Sequence, residues 1–153
     1  YHAPKNGFFF TLDRTNGKLL AANPFISGIT WATGYDLASG RPIENPEARY
    51  EKTGKIYMAN PSALGAHNWH PMAYNPATGL VYLTVADAPG IVALDTTWRY
   101  DNRQVNRGFL LGPTADPRKT LGTPDSTIVE MVAWDPVTRS VAWRAPRLRT
   151  PIS

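Results

Sequence analysis

Apolar and aromatic residues along this chain come in short runs, each closed by an Asp or Asn and, a few positions later, by Gly. Phe8-Phe9-Phe10-Thr11-Leu12 leads into Asp13-Arg14-Thr15-Asn16-Gly17, and the same ending recurs as Asp36-Leu37-Ala38-Ser39-Gly40 and Asn75-Pro76-Ala77-Thr78-Gly79. A degenerate fourth copy is Asp135-Pro136-Val137-Thr138-Arg139. The Asp or Asn side chain accepts from backbone amides ahead of it, Pro presets φ, and Gly takes the left-handed position that closes a hairpin. The flanking runs at 7–12, 79–85, 91–95 and 129–134 therefore predict short antiparallel strands. No window long enough for a helix keeps apolar residues at helical spacing without a Pro or Gly, so the chain reads as all-β. Two Pro/Gly/Asn-rich stretches, 41–66 and 99–127, predict connections longer than compact domains usually contain.

The fourth copy extends into Ala133-Trp134-Asp135-Pro136-Val137-Thr138-Arg139-Ser140-Val141-Ala142-Trp143, an Ala-x-Asp-x-x-Thr-x-x-x-x-Trp pattern that puts an indole on the far strand of a hairpin. Repeated strand-turn-strand units of this kind suggest a β-propeller. At roughly 40–50 residues per blade the chain holds about two to three blades, and a closed ring needs at least four or so. The expected architecture is a partial propeller, with 1–153 a fragment of one propeller domain. Trp31, Trp134 and Trp143 are expected to pack between strands, whereas Trp98 falls in a connection where packing and a partner surface are both open.

Composition narrows the function classes. Among 153 residues, 42% are hydrophobic and only 18% charged, enough apolar material for a core and too much for disorder. No apolar run approaches the roughly 20 residues of a membrane helix. Cysteine is absent, which removes disulfides, zinc-thiolate sites, thiol catalysis and covalent haem attachment from these residues. The net charge is +4 and the pI about 9.5, yet basic residues are scattered, with only Arg139, Arg144, Arg147 and Arg149 clustered. Without a basic stripe or recognition motif, no nucleic-acid partner is expected. The opening Tyr1-His2-Ala3-Pro4 carries neither an initiator Met nor a basic-then-apolar leader, so no targeting segment is expected within the chain.

The Ala133–Trp143 element resembles the tryptophan-docking motif of quinoprotein dehydrogenases, with Arg139 where that motif usually has Gly, a departure that suggests a different turn. Three longer segments are more specific: 3–18, beginning Ala3-Pro4-Lys5-Asn6-Gly7-Phe8; Trp31-Ala32-Thr33-Gly34-Tyr35-Asp36 continuing through Gly40 to Tyr50; and Gly65-Ala66-His67-Asn68-Trp69-His70-Pro71-Met72. Together, from residue 3 to about 145, the chain resembles the quinohaemoprotein alcohol dehydrogenases. That resemblance implies an eight-bladed propeller binding pyrroloquinoline quinone (PQQ), oxidation of alcohols to aldehydes by hydride transfer to the quinone, and a cytochrome c domain or subunit as electron acceptor. It also implies a periplasmic location. Calcium and haem c are implied with ligands outside this stretch, and no metal ligand is assigned within it. With the family's catalytic Asp also outside, the resemblance implies no turnover by these residues alone, and a need for the rest of the propeller in folding.

By the resemblance, Lys5 is the catalytic cation that donates to the quinone oxygens, and Lys5, Asn68 and Trp69 bind the cofactor. The chemistry is sound: a cation aimed at an oxygen that gains charge on reduction stabilises the transition state over the ground state. Asn both donates and accepts, and the indole N–H only donates, which suits an acid-rich planar ligand. The plain alternatives are a solvated turn lysine and a core Trp beside a turn Asn. His67 and His70 lie three apart, a weak metal signal without a third ligand, and are expected to pack or hydrogen-bond. A haem-free, methanol-dehydrogenase-like protein is disfavoured because a Gln-Gly-type continuation after Asn68 is expected in that branch. A non-catalytic propeller scaffold would have no need for Lys5 and Asn68 to converge.

Overall fold

The computed structural model describes residues 1–111 and 128–146. These hold eleven strands in four antiparallel sheets. Strands β1 (Phe8–Leu12) and β2 (Leu19–Pro24) form one hairpin, and β3 (Ala32–Asp36) and β4 (Arg41–Glu44) a second. A three-stranded sheet has the order β5 (Tyr57–Ala59), β8 (Gly90–Leu94), β9 (Phe109–Leu111). The largest sheet runs β6 (Ala73–Asn75), β7 (Leu80–Asp87), β10 (Ile128–Asp135), β11 (Ser140–Pro146), a complete four-stranded blade. The fold is a partial β-propeller, as the hairpin spacing predicts, with turns at Asp13–Gly17, Asp36–Gly40, Asn75–Gly79 and Asp135–Arg139.

Burial in β7 alternates strictly, with Val81, Leu83, Val85 and Asp87 inside, and β10 answers with Glu130, Val132 and Trp134. The register sets Val132 opposite Leu83 and Trp134 opposite Val81. This face packs on Phe9, Phe25 and Ile26 from the β1–β2 unit, with Ala3 and Ala66 filling the small positions. Phe9 and Trp134 stack with centroids 5.0 Å apart. Arg144 on β11 pairs with the buried Glu130 and donates from Nη2 to the Phe25 carbonyl at 2.8 Å, tying the blade to its neighbour.

Three expectations need correction. The stretch 41–66 is no plain connection: it contains β4, a 3-10 turn at Pro46–Ala48, a single α-turn at Tyr50–Thr53 and β5. Its Pro and Gly content hides strands of three and four residues, too short to give a periodic signal. Arg139 does not change the turn, because it adopts φ 58°, the left-handed conformation that Gly17, Gly40 and Gly79 hold at 77°, 70° and 70°. The indoles also divide. Trp134 is buried and Trp31 half-buried between Phe8 and Tyr35, but Trp143 is 43% exposed, with Tyr82 beside it. Of the stretch 99–127, positions 112–127 lie outside the described residues, as do Arg147 and Arg149.

Candidate functional site

Lys5 belongs to the segment leading into β1, and its backbone is fixed from both sides. The Lys5 carbonyl accepts from Ala66 N–H at 2.9 Å. Asn6, next along, donates from Nδ2 to the Tyr35 hydroxyl at 2.9 Å, accepts Phe8 N–H on Oδ1 at 3.0 Å and accepts the Trp31 indole N–H on its carbonyl at 3.0 Å. Burial lifts the Tyr35 hydroxyl above its ordinary value of 10.0, against the lowering influence of Asn6. Gly7 follows at φ 90°, where an added Cβ would press on Ile26 and Ile29 at 3.0–3.1 Å, and its carbonyl accepts Phe25 N–H at 3.0 Å. The Lys5 side chain itself is exposed.

The second segment crosses from the cis Asn60–Pro61 bond to Met72 and is clamped between residues 2–5 and β7. Gly65 N–H donates to Ser62 O at 2.8 Å, and Ala66, fully buried, bonds Lys5 O through its N–H and Ala86 N–H through its carbonyl at 2.7 Å. His67, 7% exposed, sets Nδ1 at 2.8 Å from the Thr84 carbonyl. A carbonyl only accepts, so Nδ1 carries the proton in this arrangement. Asn68 donates one amide N–H to Leu64 O at 3.2 Å, and among the described residues its other N–H and its Oδ1 have no partner.

Lys5, His67, Asn68, His70, Met72 and His2 border one open concavity of about 370 Å3. The fold thus gathers all three histidines of the chain in one place. Lys5 and Asn68, read from the sequence as partners, stand on this concavity, whereas Trp69 is 81% exposed and is not among the lining residues. Among the described residues no carboxylate lines it. The Lys5 ammonium and the Asn68 amide are donors suited to an oxygen-rich anionic ligand, the character of a quinone bearing carboxylates. Among the described residues no group of three or more His, Cys, Asp or Glu could hold a metal ion.

Elsewhere in the fold lies a polar node that no sequence motif announces. Asp87, at the end of β7, accepts from Ser27 N–H at 3.3 Å, Ser27 Oγ at 2.9 Å and Asn60 Nδ2 at 2.9 Å. Asn60 Nδ2 also reaches the Ser27 and Gly28 carbonyls at 3.1 and 3.2 Å, and its backbone N–H donates to Thr30 Oγ1 at 2.8 Å. These residues sit 27 to 60 positions apart, so only the folded chain brings them together.

No family model matches the chain. Among curated proteins it is 42% identical over 145 residues to quinohaemoprotein alcohol dehydrogenase ADH IIB of Pseudomonas putida, covering 94% of this chain and 20% of that protein. The 1-butanol dehydrogenase (cytochrome c) of Thauera butanivorans is 41% identical over 148 residues, with the same coverage. Among solved structures, quinohaemoprotein alcohol dehydrogenase from Comamonas testosteroni superposes with TM-score 0.80 at 38% identity, covering 96% of this chain and 22% of its own. A europium-containing methanol dehydrogenase gives 0.75 at 25% identity, covering 94% and 24%. The chain therefore spans about a fifth of the length of the curated relatives it matches. Over that fifth, the chain is similar in sequence to quinohaemoprotein alcohol dehydrogenases, and its partial-propeller fold superposes on the matching part of a solved one.

Proposed function

We propose that this chain supplies one wall of the cofactor site in a PQQ-dependent alcohol dehydrogenase, with Lys5 as catalytic cation and Asn68 as cofactor-binding residue. The observation that carries the reading is the concavity itself: two residues more than sixty positions apart border one carboxylate-free, donor-rich recess. When bound, the quinone would supply an electrophilic carbonyl that takes hydride from the alcohol carbon while a base elsewhere in the protein takes the hydroxyl proton, giving an aldehyde. Lys5 would bring a positive charge to an oxygen of the bound group that gains negative charge on reduction, a donor that stabilises the developing anion. Its fixed backbone leaves only the side-chain torsions to be ordered. Asn68 would orient the ligand edge through its second N–H and its Oδ1, and Trp69, standing outside the recess, would offer a large apolar face to a planar ring.

The relative named as a cytochrome c-linked 1-butanol dehydrogenase supports a small alcohol as substrate and cytochrome c as electron acceptor. A periplasmic setting accompanies that reading, with calcium and haem c held by other parts of the protein. The haem-free alternative is weaker, because among the solved structures identity falls from 38% with the quinohaemoprotein to 25% with the methanol dehydrogenase. A scaffold without cofactor gives no role to Lys5 facing this recess.

The test is Lys5→Ala in the full-length protein reconstituted with PQQ and calcium, assayed by dye-linked alcohol oxidation. Turnover should fall by about 10²-fold or more, the scale for losing one donor to a developing oxyanion, while much quinone binding survives. Asn68→Ala should chiefly weaken cofactor retention. Unchanged turnover in Lys5→Ala would refute the assignment.

A further inference from the structure

We infer that Gly65 is a positioning residue for Lys5, seating the stem of that lysine so that its ammonium and Asn68 face one ligand. The inference rests on the reading of Lys5 given above. Gly65 sits at φ 88°, and a Cβ built there would lie 2.5 Å from both Cβ and Cγ of Lys5 and 2.9 Å from its Cα. The backbone at Gly65 is thus flush against the first carbons of the lysine, and only a hydrogen fits between them. An ordinary hairpin glycine has no such neighbour: Gly17, Gly40 and Gly79 share the left-handed backbone, yet nothing lies within 4 Å of the Cβ each would carry.

The consequence reaches Asn68 along the chain. Immediately after Gly65, the Ala66 N–H holds the Lys5 carbonyl and the Ala66 carbonyl holds β7; the His67 ring is then pinned to Thr84 O at 2.8 Å. One four-residue segment therefore seats the lysine at its start and presents Asn68 at its end. The spacing of the two donors is set by backbone contact and not by their flexible tips. A methyl at Gly65 must push the Lys5 stem away by about an ångström to reach ordinary contact, and misplacement on that scale costs roughly 10²-fold in a preorganised site.

A double-mutant cycle separates positioning from folding. Gly65→Ala, Lys5→Met and the double variant are made in the full-length protein. PQQ dissociation constants are read from quenching of intrinsic fluorescence, and turnover from the dye-linked assay. With Lys5 present, Gly65→Ala should raise the PQQ dissociation constant about tenfold and cut turnover by about 10- to 100-fold. In the Lys5→Met background both losses should shrink to about threefold or less, since the contact it disturbs no longer matters. Equal losses in both backgrounds would overturn the inference and leave Gly65 a folding residue. Where Gly65→Ala does not yield folded protein, His67→Phe enters the same cycle. It removes the bond to Thr84 that holds the segment between Gly65 and Asn68, together with one imidazole at the recess, and the same shrinkage or equality decides. If Lys5→Met alone changes neither quantity, the Lys5 reading itself fails, an outcome distinct from additivity.

Discussion

Asn6 and the hairpin residues Asp13, Asp36, Asn75 and Asp135 use one local device. In each, a side-chain oxygen accepts the N–H two positions on, at 3.0, 2.8, 3.0, 2.9 and 2.8 Å respectively, and a left-handed residue closes the bend. What surrounds the device differs. At the hairpins the remaining bonds stay within five residues, as where Gly17, Gly40 and Gly79 donate to Asp13, Asp36 and Asn75 carbonyls at 2.7, 2.8 and 2.9 Å. At the Lys5 corner they cross the fold, from Asn6 to Tyr35 and Trp31, and from Lys5 to Ala66. A self-contained turn can be moved about a protein; a turn whose other bonds are non-local holds distant strands in one arrangement, which is what a binding recess requires.

The largest effect that would sharpen this contrast is at Asn6. Asn6→Ala strands the buried Phe8 N–H and the half-buried Tyr35 hydroxyl, at about 1–3 kcal/mol for each buried group left unsatisfied. A loss of about 3 kcal/mol in urea unfolding of the full-length protein is expected. Asp13→Ala, at an exposed hairpin, should cost about 1 kcal/mol or less. Comparable costs at the two positions would break the distinction.

That contrast also explains what the sequence could reveal. The hairpins were legible because strand, acceptor and Gly fall within about ten consecutive residues, and the alternation in β7 and β10 places Val81, Leu83, Val132 and Trp134 inside without reference to the rest of the chain. The Lys5–Asn68 pairing was legible only through resemblance, since no local rule joins positions so far apart. Gly65 reads in sequence as one more turn glycine, because its distinguishing neighbour, Lys5, is sixty residues away. The Ser27–Asn60–Asp87 node was invisible for the same reason: three ordinary polar residues gain meaning only when two connections meet the end of β7.

A smaller effect is expected at Arg139, which pays for its missing glycine by holding φ 58° with a full side chain. Left-handed backbone costs an ordinary residue about 1–2 kcal/mol, partly offset in Gly by its freer unfolded chain. Arg139→Gly should therefore stabilise the β10–β11 hairpin by about 0.5–1 kcal/mol, seen as slower native-state amide exchange in Val141 and Trp143. The converse Gly79→Arg should loosen the β6–β7 hairpin by a similar amount. No change in either would mean that the two turns differ in more than this residue.

The smallest effect distinguishes the hairpins from one another by acid. The Asp13 carboxyl is held below its ordinary 3.8 by the Thr15 hydroxyl and then the Thr15 N–H, Asp36 by the Ser39 hydroxyl and then the Ala38 N–H, and Asp135 by the Val137 and then the Thr138 N–H. For a carboxyl whose folded value lies below its unfolded one, the stabilisation is complete above the unfolded value near 3.8 and is lost as pH falls through the lower folded value. The Asn75 turn makes the same bond to Ala77 N–H with a side chain that does not titrate. Amide protection at Gly17 and Gly40, corrected for the intrinsic exchange rate, should thus decline on acidification below about 3.8, while Gly79 stays level. Asp36→Asn should flatten the profile of Gly40 alone. If Gly79 instead falls in parallel with the other two, the acid response belongs to the sheets as a whole, and the hairpins are less self-contained than their bonds indicate.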